Sequence, residues 1–148
     1  MALKKIVHIG DGRFSEKLST AVTILPGTLL ERTAIGTVQA QSVAEAAGTY
    51  PEAMIAVENS LAGDEVGTVW PVSSQIKVYH PHKGDELYLR LEDSEVAAFG
   101  DFLTPNGTNG TMKVRDTATN PPFAMALEVK DALSDAAASD LLIRCVIL

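Results

Sequence analysis

Short runs of β-branched and apolar residues, broken about every ten residues by Gly, Pro, Asn or Asp, recur along the whole chain, and that is the rhythm of short strands joined by tight turns. The runs predict strands over 3–9, 21–25, 28–32, 36–40, 53–58, 75–80, 86–91, 102–104, 111–115, 123–129 and 141–148. Several alternate as a strand with one wet face must. Leu87, Leu89 and Leu91 point one way and Glu86, Tyr88 and Arg90 the other, and Phe123, Met125, Leu127 and Val129 alternate against Ala124, Ala126 and Glu128. The last run is apolar on both faces except at Arg144, so it is expected either between two sheets or under a neighbouring chain. The pattern predicts an all-β fold, a small β-barrel or a jelly-roll-like two-sheet sandwich.

Turn chemistry supports these divisions. Pro26-Gly27 suits a type II turn, and Asn106-Gly107 with Asn109-Gly110 suits the end of a hairpin. Pro121-Pro122 forces an extended entry to the strand at Phe123. Helix is expected only over 42–47 and 134–138, where a Ser stands ahead of a short Ala-rich stretch. Gly10-Asp11-Gly12-Arg13 interrupts the chain near its start and divides it into residues 1–19, an N-terminal arm or an ordinary first strand, and residues 20–148, a single β domain.

Length and composition narrow the functional classes. A chain of 148 residues suffices for one domain with its own core. Only 5% of residues are aromatic, so that core must be built mainly from Val, Ile, Leu and Ala. The net charge is −7 and neither half of the chain is basic, which argues against nucleic acid or an anionic membrane surface as a partner. The one cysteine, Cys145, cannot form an internal disulfide, and the apolar stretch Ile6 to Ile9 is too short for a secretion signal, so synthesis in a cytoplasm is expected.

Candidate chemistry is sparse. His80-Pro81-His82 sets two imidazoles two residues apart with no further ligands at metal-binding spacing, and reads as a turn. Cys145 shares its register with Ile143 and Ile147, where an apolar setting makes a thiol inert. Asp64-Glu65, Asp85-Glu86 and Glu92-Asp93 do not form a calcium loop, and Gly10-Asp11-Gly12 lacks the rest of a dinucleotide-binding loop. No catalytic, metal or cofactor site is expected.

More specific are Gly84-Asp85-Glu86-Leu87-Tyr88-Leu89-Arg90-Leu91, Val96-Ala97-Ala98-Phe99-Gly100-Asp101-Phe102-Leu103, Asn109-Gly110-Thr111, Ala124-Met125-Ala126-Leu127-Glu128-Val129 and the closing Leu142-Ile143-Arg144-Cys145-Val146-Ile147-Leu148. With Leu25-Pro26-Gly27-Thr28-Leu29-Leu30 and Ala53-Met54-Ile55-Ala56-Val57-Glu58, they make residues 20–148 resemble the decoration, or cement, proteins of tailed-bacteriophage heads. The two Gly-Asp pairs mark strand starts, and Phe99 and Phe102 are placed to seal a barrel end. The resemblance implies a homo-oligomer, dimer or trimer, that binds the major capsid protein on the outside of the virion and reinforces joints between capsomers. Another small β-rich virion or tail component, or a non-catalytic ligand-binding barrel, is the alternative. Residues 1–19 lie outside the resemblance and are the most basic stretch of an acidic chain, so Lys4, Lys5, Ile6, Val7, Ile9, Arg13 and Phe14 are the expected partner contacts.

Overall fold

A computed structural model of the chain describes residues 5–19, 24–42, 53–93, 95–107, 109–116, 121–131 and 142–148. In chain order the strands are β1 (Val7–Ile9), β2 (Arg13–Ser19), β3 (Leu30–Ala34), β4 (Thr37–Ala40), β5 (Ile55–Ala56), β6 (Gln75–His80), β7 (Glu86–Arg90), β8 (Val96–Ala97), β9 (Phe102–Pro105), β10 (Met112–Val114), β11 (Ala124–Ala126), β12 (Lys130–Asp131) and β13 (Leu142–Ile147). The helix described is one 3-10 turn, Ser60–Ala62. The helix expected over 134–138 lies outside the described residues, as do all but Ser42 of the helix expected over 42–47 and most of the strand expected over 21–25.

Of the two all-β architectures the pattern allows, the chain adopts the sandwich. One sheet has six strands in the order β1-β7-β13-β11-β9-β10, a second has five in the order β3-β4-β2-β6-β5, and β12 and β8 form a small separate ribbon. Pairing is antiparallel except between β2 and β4. Isolated bridges, Leu29 to Ile55 and Leu91 to Met112, curl each sheet toward itself, but neither closes into a barrel.

Two cores explain why several runs are apolar on both faces. Leu87, Leu89 and Leu91 of the β7 segment join Leu103, Met112, Ala124, Ala126, Ile143, Cys145 and Ile147 in the larger core, and the five-stranded sheet adds Leu29, Ile55 and Tyr79. The neighbours Leu30, Ala56 and Val78 turn the other way, into a second core with Ile24, Val38, Met54, Trp70 and Ile76. A sheet covered on both faces needs continuous rather than alternating apolar runs. The final strand, β13, sits in the middle of the six-stranded sheet, with its Ile143, Cys145 and Ile147 face buried.

Cys145 is wholly buried, its Sγ donates to the Leu87 carbonyl at 3.4 Å, and burial pushes its thiol far above the ordinary value. Replacing it with Ala should cost on the order of 1 kcal/mol through lost packing. The shift of the denaturant midpoint measures that cost; an unchanged midpoint would mean the sulfur packs against little.

Arg90 is the exception to the alternation in β7. It is 5% exposed, and its Nε and one terminal nitrogen donate to the carbonyls of Pro26 and Val66 at 2.8 and 3.0 Å. Burial lowers its pKa to about 10. Its aliphatic stem lies against the Pro26-Gly27 turn, where the Thr28 N–H donates to the Leu25 carbonyl and Gly27 takes φ of 87°, as a type II turn requires.

Two identical turns start β7 and β9. In each, the Asp N–H donates to the carbonyl three residues back, the Asp carboxylate accepts that residue's N–H at 2.8 Å, and the intervening Gly has positive φ. The residues are His82 to Asp85 and Ala98 to Asp101. Phe99 and Phe102 do not seal a barrel end: no barrel closes, and they are 68% and 40% exposed, Phe99 in the turn before β9 and Phe102 at its first position.

Candidate functional site

Two chain crossovers between the sheets meet at one corner of the sandwich. Residues 10–12 carry the chain from β1 in the six-stranded sheet to β2 in the five-stranded one, and residues 81–85 carry it back from β6 to β7. Asp85, 4% exposed, ties them together. Its carboxylate accepts from the Tyr79 hydroxyl at 2.6 Å, the His82 N–H at 2.8 Å and the Asp11 N–H at 3.2 Å. The Tyr79 oxygen in turn accepts the Gly12 N–H at 2.8 Å.

The glycines of this corner answer to space. A Cβ on Gly12 would stand 2.2 Å from the His80 carbonyl oxygen, and one on Gly10 would stand 2.3 Å from the Tyr79 hydroxyl. Burial alone would raise the Asp85 pKa, but the hydrogen bonds from Tyr79, His82 and Asp11 outweigh it and hold the carboxyl below its ordinary value. Burial first, then the bond to Asp85, raises Tyr79 to about 12.

Beside this knot lies an open cleft of about 340 Å³ lined by Ile9, Gly10, Asp11, Lys83, Gly84 and Asp85. At its mouth the exposed His82 Nδ1 and Asp11 Oδ1 are 3.2 Å apart. Asp85 has its oxygens occupied within the chain. The cleft therefore presents the Ile9 side chain, one carboxylate, one ammonium group and backbone.

The expected partner contacts separate into different environments. Lys4 lies outside the described residues, and Lys5 is exposed. Ile6 is wholly buried in the larger core and its N–H donates to Glu58 Oε2 at 3.0 Å, so it is not available to a partner in the folded chain. Val7 is half-buried against the same core and pairs with Leu87. Ile9 is 57% exposed on the edge strand β1. Arg13 is exposed, and Phe14, 52% exposed, packs its ring 4.9 Å from Tyr79 under the Lys77 ammonium at 4.5 Å. Residues 13–19 are β2, the middle strand of the five-stranded sheet, and not a free extension.

The other candidates are structural. His80 Nε2 lies 2.6 Å from Ser15 Oγ across the β2–β6 pair. Among the described residues no group of three or more His, Cys, Asp or Glu could hold a metal ion. The acidic residues work as clamps: Glu92 Oε2 accepts from Asn106 Nδ2 and Thr111 Oγ1 at 2.9 and 2.8 Å, Glu95 takes the Val114 N–H, and Glu128 takes the Arg144 N–H. Through Glu92 and Glu95 the segment after β7 covers the outer edge of β10, which blunts a strand edge that would otherwise invite pairing with another chain.

Sequence reasoning did not single out the outward face of the six-stranded sheet. Cross-strand partners share a face, so the pairings of Met125 with Phe102 and with Val146 align an apolar row there. Val96, Phe99 and Val129, each more than half exposed, lie at the adjoining turn and ribbon. The alternation of β11 and β13 carried this signal, but both faces of β13 read as apolar, so the wet face was not distinguishable.

Neither the family models nor the curated proteins include a match to this chain. Among solved structures, the head fiber gp8.5 N base in bacteriophage phi29 is similar in fold, with a TM-score of 0.55 and 14% identity over 93% of this chain and 95% of that one.

Proposed function

We propose that this chain is a non-catalytic structural protein of a tailed-phage virion, made in the bacterial host cytoplasm, that binds the major capsid protein on the outer surface of the assembled head and stabilises contacts between capsomers. The observation that carries the reading is the likeness of fold to a phage head fiber base along nearly the whole chain. The motif resemblance of residues 20–148 to head decoration proteins supports it separately. The physics is compatible: a partner that binds the assembled shell and not its dissociated subunits stabilises the shell by its binding free energy, with no chemistry required.

The neighbour also favours a second reading, in which the chain is the capsid-proximal base of an appendage. The two differ in what removal does. Heads lacking the protein should lose DNA at a lower temperature and regain resistance on adding it back if it reinforces capsomer joints. Binding that leaves the release temperature unchanged would favour the appendage base, and absence of binding would reject both.

A further inference from the structure

We propose that the open half of β2 receives an extended, acidic segment of the capsid protein as an added strand; the inference rests on the proposed function and names how that contact is made. In an antiparallel pair the ladder bonds fall on alternate residues. The Ser19 N–H donates to the Ser74 carbonyl at 2.9 Å, whereas the Leu18 N–H turns the other way, to the Gly36 carbonyl at 3.0 Å. By that alternation the N–H and C=O groups of Phe14 and Glu16 also point away from β6, and the carbonyl of Lys77, opposite Glu16, accepts the Val57 N–H at 3.1 Å instead. β4 meets β2 at Leu18 and Ser19 and goes no further along it, because the β3–β4 turn at Ile35-Gly36 intervenes. Among the described residues, no backbone group bonds the outward side of Phe14 or Glu16. The outer sides of β5 and β10 are covered by the chain itself: the Ala56 N–H donates to the Thr28 carbonyl at 3.0 Å, and the Glu92 N–H to the Met112 carbonyl at 2.8 Å. An uncovered row of backbone donors and acceptors is a template for another strand.

The side chains define what kind of strand fits. Arg13, Ser15 and Lys17 stand on one face of β2, and Phe14, Glu16 and Leu18 on the other. Ser15 is engaged by His80, and Glu16 lies opposite Lys77. Arg13 and Lys17 form no ion pair with a described residue. Two uncompensated cations, four residues and so about 13 Å apart, therefore border the open edge of a chain whose net charge is −7. Between them, on the opposite face, Phe14 is 52% exposed. A strand laid alongside at about 4.8 Å, with acidic residues four apart, meets Arg13 and Lys17, and an apolar residue on its other face covers Phe14. A basic strand would set like charges beside those cations, and nucleic acid has no ladder of N–H and C=O groups to match Phe14 and Glu16.

Co-sedimentation with heads that lack the protein, combined with amide hydrogen exchange read residue by residue, tests this. In the free chain the Phe14 and Glu16 amides should exchange fast and those of Ser15 and Lys17 slowly; on heads, Phe14 and Glu16 should become protected. Glu16→Pro removes a donor aimed away from β6 and sets a ring on the open edge, so it should weaken head binding at least about tenfold with an unchanged circular dichroism spectrum. The double variant Arg13→Glu/Lys17→Glu should also weaken binding about tenfold, and its deficit should shrink as salt is raised. Should Glu16→Pro fail to fold, the charge-reversed variant and the exchange of Phe14 and Glu16 decide the question. Protection of the Phe14 and Glu16 amides in the free chain would overturn the inference, as would unchanged exchange on heads, or head binding by both variants equal to that of the wild type; each of these leaves the proposed function standing. A wild-type chain that does not bind heads would reject the proposed function, and this inference with it.

Discussion

Deleting residues 2–18 is expected to abolish folding rather than release a domain without its arm. β2 lies between β4 and β6, and its six register pairs with β6 run from Arg13–His80 to Leu18–Gln75. Without it, β6 loses one neighbour along its whole length, and the β3–β4 hairpin is held to the rest of the sheet only by the Leu29–Ile55 bridge and the bonds beside it. The deletion also removes Ile6 from the larger core, worth about 1.5–3 kcal/mol of burial, and leaves Glu58 and the Tyr79 oxygen without the N–H groups they accept. Each lost hydrogen bond adds about 0.5–1.5 kcal/mol, against a total margin of roughly 5–15 kcal/mol for a domain of ordinary stability. Circular dichroism and limited proteolysis of the truncated chain should report an unfolded, rapidly cleaved polypeptide. A protease-resistant β domain would instead establish that the first strands are dispensable.

Asp85→Asn should be the most damaging single polar substitution. The carboxylate accepts three donors at the corner where both crossovers meet, and an amide can accept on one atom only, turning its NH₂ toward N–H or O–H groups. Disrupting a buried network of this kind costs about 3 kcal/mol, or about 6–12 °C in Tm for a chain of this length. The network also ties stability to pH. Asp85 is depressed in the folded state, so its contribution is present above the unfolded value near 3.8 and is lost as pH falls through the lower folded value. Tyr79 is raised, so its contribution is complete below 10 and is lost between 10 and about 12. Stability measured against pH should therefore drop at both ends in the wild type, with a shallower acid limb in Asp85→Asn. Equal acid limbs would show that Asp85 is not the group being titrated.

Much of the strand pattern was legible in the residues. Gln75–His80 is the strand its alternation predicts, and the segments at 86, 102, 112, 124 and 142 begin within a residue or two of their expected positions. The Gly-Asp turns were readable because their bonds close within three residues, where the chemistry of Gly and Asp decides the geometry. β2 was not readable. Its sequence, RFSEKLS, has two apolar residues, both at least a third exposed, and it is a strand because its backbone pairs with β6 from Arg13 to Leu18 and with β4 at Leu18 and Ser19. Val96–Ala97 and Lys130–Asp131 are too short for any period to show and are strands because they find each other.

The sequence by itself determined that the chain is all-β, where most of its turns fall, that Cys145 is buried and that the core is aliphatic. These properties arise from side-chain periodicity and local turn chemistry, which act over a few residues. Only the tertiary structure decided that a sandwich forms rather than a barrel, that Gly10 and Gly12 leave room for Tyr79, and that Asp85 joins two crossovers. The bonds responsible link residues 67 and 74 apart, as in Gly12 to Tyr79 and Asp11 to Asp85. Contacts at that separation depend on which strands become neighbours, and strand order leaves no period in the residues that make it.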